Sequence, residues 1–399
     1  MSTVAVICEY NPFHSGHLYH FECIRRDFGA DTNIVAIMSG NFTQRGELAI
    51  APKSYRAKAA LLLGANLVLE LPFPFSSSSA EIFASAGVSI ANSLGFVDYI
   101  SFGSESGEIA TLENAASIID SDDFSRAFAK LSENKNLGYP ERYEAAYRSL
   151  AKDDVTFTPN NILAIEYIRA IRKLGSRIKP HTVARHGAGY TDRALSESAH
   201  PSAMAIRSAI NSNDMSAIDK LPGASLDALK SALADADFPT NESRLSAAVI
   251  SSLRLNPDSP REDYHDAGDG LYNRLKSASF EANDISSLLE LSATKIYTNA
   301  RLKRAMWNVF LGVTSSDVKI PPKYTQVLAL DPSGMLLLKS QRKRDDFFVL
   351  TKPADTKAFS DDALKQKLLS DKADSIYELA KPMPKSGKSA LRFTPYVKK

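Results

Sequence analysis

Val4-Ala5-Val6-Ile7-Cys8-Glu9-Tyr10-Asn11-Pro12-Phe13-His14-Ser15-Gly16-His17 is the stretch that decides the fold. Its first five residues form an apolar run rich in β-branched side chains, the pattern of a strand buried on both faces of a parallel sheet. Pro12 has no N–H to give a ladder and biases Asn11 away from helix, so the strand breaks before Phe13. A helix is predicted over Ser15–Phe28, closed by Gly29. The next strand is predicted over 33–38. A helix over 54–63, a strand over Leu67–Leu71, a helix over 81–94 and a strand over 97–102 repeat the alternation. Strands alternating with helices predict an α/β fold with a doubly wound parallel sheet. Helices are further expected over 160–174 and 204–211. The texture then turns helical from 213 to 315, and a strand, helix and strand over 325–351 predict a small C-terminal α/β unit ending in a basic tail.

The chain has 399 residues, 44% of them apolar, which excludes a disordered chain. Lys plus Arg number 48 and Asp plus Glu 46, a net charge of +2, so any basic surface must come from local segregation of charge. The two cysteines, Cys8 and Cys23, exclude a disulfide scaffold and a four-thiolate zinc site, and read as reduced thiols. The first apolar run is interrupted by Glu9 and Asn11, unlike a signal peptide, and no stretch reaches the ~18 apolar residues of a membrane span. A cytoplasmic protein with no membrane partner is expected; the sequence leaves its oligomeric state open.

Chemistry is carried by His14-Ser15-Gly16-His17, placed between the first strand and the first helix. Histidines three apart share one helix face. Their imidazoles, the N–H groups of the first turn and the positive end of the helix dipole converge on an anion site suited to nucleotide phosphates. Imidazole donors there would stabilise charge growing on an α-phosphate and on leaving pyrophosphate. Gly16 would let the ligand approach. The other use of such a pair is zinc, which wants a third ligand; His20 keeps the spacing but lies a turn deeper, and no H-E-x-x-H occurs.

Residues 6–20 resemble the nucleotidyltransferase superfamily with the "HIGH" signature and, more narrowly, the tRNA(Met) cytidine acetate ligase family. The match continues in order through 38–47, 64–72, 101–105, 159–163, 185–190, 202–207 and 295–301. The resemblance implies ATP-dependent activation of acetate and transfer of the acetyl group to N4 of the wobble cytidine in elongator tRNA(Met). It implies His14 and His17 as catalytic. ATP contacts would come from Ile7, Cys8, Glu9, Tyr10, Asn11, Pro12, Phe13, His14, Ser15, Gly16, His17, Leu18, Tyr19 and His20, and from Gly103, Asn160 or Asn161, Arg185 and His186. Mg²⁺ is expected to accompany ATP, with no protein metal ligands assigned. Three departures stand out: Ala164 in place of a glycine, His186 in place of an isoleucine, and Ile296 in place of an arginine.

From the residues themselves, Ser202 and Arg207 at a helix start offer a second phosphate cradle. Lys295, Tyr297, Arg301 and Arg304, with Lys303 and Trp307, make a basic stripe with aromatics that suits an RNA backbone. Gln44, Arg45, Lys53 and Arg56 are candidates for holding an anticodon loop. One of Asn160 and Asn161 is expected to be an N-cap. The expected division is 1–212 catalytic and ATP-binding, 213–315 helical and RNA-binding, and 316–399 a small α/β region. The competing functions are a small-molecule adenylyltransferase without an RNA substrate and a non-catalytic tRNA-binding protein.

Overall fold

The computed structural model describes residues 1–132, 138–151, 155–184, 202–256, 263–341, 346–390 and 393–398. Arg185 and His186 lie outside the described residues. Among the described residues eight strands form one sheet: β1 (Thr3–Cys8), β2 (Asn33–Ser39), β3 (Leu67–Leu71), β4 (Tyr99–Ser104), β5 (Lys179–Ala184), β6 (Tyr324–Leu330), β7 (Phe348–Leu350) and β8 (Tyr396–Val397). Their order is β5-β4-β1-β2-β3-β6-β7, with β8 beside β6. The first five strands run parallel. β6 is antiparallel to β3.

Alternation along β1 divides the core into two layers, because successive side chains leave a strand on opposite faces. Ala5 and Ile7 share one face with Val35, Ile37, Leu67 and Leu69, under helix α3 (Ala80–Leu94) and helix Pro159–Lys173. Val4, Val6 and Cys8 share the other with Ile34, Ala36 and Val68, under helices α1 (Ser15–Phe28) and α2 (Lys53–Leu62). The chain leaves β1 towards β2 on one side and returns to β4 on the other. The crevice between the carboxyl ends of β1 and β4 is therefore the switch point where α/β sheets take ligands.

The cores do not follow the sequence boundaries at 212 and 315. Phe42, Leu48 and Phe73 pack in one cluster with Leu275, Trp307 and Tyr377. Ile50 and Ala51 pack with Ile206, Ile218 and Phe238. The strand expected in a separate C-terminal unit, β6, hydrogen-bonds instead to β3 of the first sheet. Helix Asp361–Tyr377 docks against that sheet through charge: Asp374 Oδ2 lies 2.6 Å from Lys53 Nζ, which also meets Glu70 Oε1 at 2.6 Å. Burial by itself would lower the Lys53 pKa, but the two carboxylates prevail and raise it.

Candidate active site

The turn after β1 is held from three directions. Tyr10 takes φ = 47°, a left-handed conformation unusual for a bulky residue. Arg56 Nη1 donates to Glu9 O at 2.6 Å, Arg207 Nη1 to Asn11 O at 2.8 Å, and Ser225 Oγ to Phe13 O at 2.7 Å. Tyr10 and Phe13 are buried beneath His17, their ring centroids 4.8 and 5.3 Å from it. The turn is thus braced by packing and by donors from three separate elements.

His14 is the N-cap of α1. Its Nδ1 accepts the Gly16 N–H at 3.0 Å, and His17 Nδ1 accepts the His14 N–H at 3.2 Å. The two rings stack with centroids 3.8 Å apart. With Nδ1 accepting in both, each neutral ring carries its proton on Nε2. Two expectations are corrected here. The His14 and Gly16 N–H groups are taken by the histidines themselves, so the imidazoles and not those two amides must present donors. A Cβ at Gly16 would meet His14 Cε1 at 2.9 Å, so the glycine makes room first for the capping ring.

A cleft opens beside this pair. Ile7, Cys8, Glu9, Tyr10, Asn11, His14, His17, His20, Gly103, Asn160, Ser202 and Arg207 line it, as do Gln44 and Arg45. Pro12, Phe13, Ser15, Gly16, Leu18, Tyr19 and Asn161 do not line it. Phe83, Phe102, Leu163 and Tyr167 supply an apolar wall that sequence reasoning missed, because these residues read as ordinary core. Burial raises the Cys8 thiol pKa and keeps it neutral. Burial also raises the Glu9 pKa, opposed by the Gln44 N–H that donates to its Oε1 at 2.8 Å.

The outer candidates separate cleanly. Thr158, not an asparagine, caps helix Pro159–Lys173. Asn161 is buried, accepting from Glu105 N at 3.1 Å and donating to Thr156 O at 2.9 Å, while Asn160 faces the cleft and donates to Glu105 Oε1 at 2.8 Å. Ala164 is fully buried in the core under the sheet. Ser202 caps helix Ala203–Asn211. Arg207 Nη2 pairs with Glu47 at 3.0 Å.

The basic stripe divides. Arg304 is buried and its Nε lies 2.6 Å from Asp266, and Trp307 is fully buried with its indole N–H on Gly46 O at 2.9 Å. Neither faces solvent as an RNA surface requires. Lys53 and Arg56 are buried too. Gly46, at φ = 72°, lets the 42–48 loop sit so close that a Cβ would meet Arg304 N at 2.6 Å. That contact brings Lys303 towards the cleft. A groove shares Arg45, Met204 and Arg207 with the cleft and continues along Asn241, Asn299 and Lys303. Lys295 is exposed, and Arg301 lies over the Tyr297 ring at 5.4 Å while pairing with Asp269 at 2.8 Å.

The HIGH Nucleotidyl Transferase family model matches residues 1–390. The chain is 34% identical over 411 residues to a tRNA(Met) cytidine acetate ligase of Acetivibrio thermocellus, covering 99% of each chain. The chain belongs to the tRNA(Met) cytidine acetate ligase family. Within that family it is also 40% identical over 307 residues to the ligase of Caldicellulosiruptor bescii, covering 76% of this chain and 75% of that one. Its fold superposes on Thermotoga maritima TmcAL bound with α-thio ATP with a TM-score of 0.89 at 27% identity, over 100% of both chains.

Proposed function

We propose that this chain activates acetate with ATP and passes the acetyl group to N4 of the wobble cytidine of elongator tRNA(Met). The observation that carries the reading is the stacked His14–His17 pair, its protons fixed on Nε2, at the switch point of the sheet. Phosphates would lie against these two donors, with Arg207 and Ser202 lining the same cleft. The apolar wall of Phe83, Phe102 and Tyr167 suits a purine, and Gly103 and Asn160 stand beside it. Arg185 and His186 remain candidates by resemblance.

An acetate oxygen attacks the α-phosphorus. A P–O bond to acetate forms, and the bond to pyrophosphate breaks with its electron pair leaving on pyrophosphate. Donors preorganised at the phosphorus lower this barrier because they need no reorientation as charge grows. The cytidine amine then attacks the acetyl carbon. Its lone pair is delocalised into the ring, so positioning must supply much of the rate, and the base must leave its stack. Arg45, Arg207 and Lys303 along the groove suit the phosphates of an anticodon loop, with Lys295, Tyr297 and Arg301 further out.

Among the described residues no group of three or more His, Cys, Asp or Glu is placed to hold a metal. Mg²⁺ commonly binds through substrate phosphates with few protein ligands, and it would come with the triphosphate here. No step above runs through it. Among the described residues no helix is long and apolar enough to cross a membrane.

The test is incubation with ATP, labelled acetate and tRNA, followed by mass spectrometry of the nucleosides. N4-acetylcytidine is expected. Turnover of a small molecule without RNA, or RNA binding without ATP consumption, would replace this reading with one of its competitors.

A further inference from the structure

A second cavity opens where β6 and β7 meet helix Asp361–Tyr377, and it shares no lining residue with the cleft or the groove. Gln326 and Leu350, cross-strand partners in β6 and β7, line it. Lys367 and Asp371 line it from the helix, four residues apart and so on one face. Lys352 lines it from the turn after β7. Asp355 Oδ2 fixes that turn by accepting the Thr351 N–H at 2.9 Å and the Lys352 N–H at 3.0 Å. Phe393 completes the lining, its ring centroid 6.0 Å from Lys53 Nζ.

Gln326 is the residue that asks for an explanation. It is only 9% exposed, and among the described residues its side-chain amide has no hydrogen-bond partner. Burying an amide without a partner costs stability, and an apolar side chain of similar shape would avoid that cost. Leu328, two residues on and on the same strand face, is such a residue and is fully buried in the core. An amide kept at position 326 points to a partner from outside the chain. The charges around it differ in their engagement. Lys367 donates to Asp371 Oδ1. Lys352 is exposed and makes no ion pair among the described residues.

We propose that this cavity is a site for one nucleotide, with the base against the Phe393 ring and the Gln326 amide and the phosphate held outside by Lys352. An amide presents a donor and an acceptor side by side, which matches the polar edge of a base, and an aromatic ring takes the face of any base by stacking. A purely apolar ligand would leave the amide unpaired. A small acid would leave the ring unused. The cavity measures about 160 Å³. Pockets for drug-sized ligands begin at ~300 Å³, so this one holds a base and leaves sugar and phosphate at its mouth, where Lys352 stands. The site goes beyond the acetyl transfer proposed above and does not depend on it. The same chemistry comes from a free nucleoside monophosphate or from an unpaired nucleotide of an RNA.

The probe is 4-thiouridine monophosphate, which crosslinks under near-ultraviolet light to the side chains it touches. In the full-length protein the crosslink, mapped by mass spectrometry of peptides, should fall within 350–356 or at Phe393. Affinity is read from the probe concentration that half-saturates this crosslink. Gln326→Leu should raise that concentration about tenfold, the worth of one good hydrogen bond, while the melting temperature stays at or above wild type. Lys352→Ala should raise it for the monophosphate and leave it unchanged for 4-thiouridine itself. A crosslink confined to the catalytic cleft, no crosslink at all, unchanged affinity in either variant, or a Gln326→Leu protein that melts lower than wild type would overturn the site. A second arm places 4-thiouridine in an unpaired loop of tRNA. A crosslink to the same peptides assigns the pocket to RNA, and its absence, with the monophosphate still bound, assigns it to a free nucleotide.

Discussion

Two regions looked functional by their residue types, the His14–His17 turn and the basic segment 295–304, and the fold treats them differently. The first keeps both of its histidines in the cleft. The second is divided by helix Asn299–Leu311, which turns Arg304 and Trp307 inwards and leaves Lys303 in the groove. A strand–turn–helix junction places its histidines by its local geometry, and here Arg56, Arg207 and Ser225 brace that turn from outside. A run of charges on a helix takes its meaning from whatever packs against that helix.

This contrast can be broken most sharply at the turn. His14→Ala or His17→Ala should lower acetate-dependent ATP–pyrophosphate exchange by about 10³-fold, the upper range for losing one preorganised donor. Circular dichroism should show the fold retained. Near-normal exchange in both variants would remove the histidines from the chemistry.

Arg304→Ala should act on stability instead. Breaking a buried ion pair typically costs about 3 kcal/mol, because the partner carboxylate stays behind without its cation. Urea unfolding measures this. A variant that is stable but weak in tRNA binding would return Arg304 to the RNA surface.

Lys303→Ala should do the reverse, with a smaller effect. Its side chain is partly exposed and meets Glu242 at 3.3 Å. Loss of one phosphate contact should lower the slope of log affinity against log salt by about 1, with unfolding unchanged. Salt-titrated tRNA binding provides the measurement.

The smallest effect concerns pH. Buried His265, beside Asp266 and Arg304, has its pKa lowered, chiefly by desolvation. The unfolded chain protonates this ring near 6.5, and the folded chain only at lower pH. Between the two values the unfolded state binds more protons, so stability falls as pH drops below about 6.5. The melting temperature should fall slightly from pH 7.5 to 5.5, and His265→Gln should flatten that slope.

Much of the first hundred residues was legible because their periodicity is simple. β1, β2 and β3 are nearly uninterrupted apolar runs, and β2 and β3 are followed directly by Gly40 and Pro72. Helix Asp361–Tyr377 was not legible. Its buried face is Ala363, Gln366, Ser370, Ala373, Asp374 and Tyr377, at helical spacing but largely polar. Those groups bond across to other elements: Ser370 Oγ to Phe73 O at 2.9 Å, Gln366 Oε1 from Lys323 N at 2.8 Å, and Asp374 to Lys53. An apolar pattern was the wrong thing to look for where docking is through hydrogen bonds and charge. Gln44 and Arg45 were legible as candidates from their place after β2, whereas Lys53 and Arg56, close by in sequence, proved to be interior.

By itself the sequence determined the alternation of strands and helices and the turn that carries the histidines, because those depend mostly on neighbours a few positions away. Tertiary structure alone decided that β6 completes the first sheet, that Asn160 and not Asn161 reaches the cleft, and that Lys303 stands beside Arg45 and Arg207. The reason is that burial and pairing between residues hundreds of positions apart depend on which faces meet, and composition along the chain does not encode a facing.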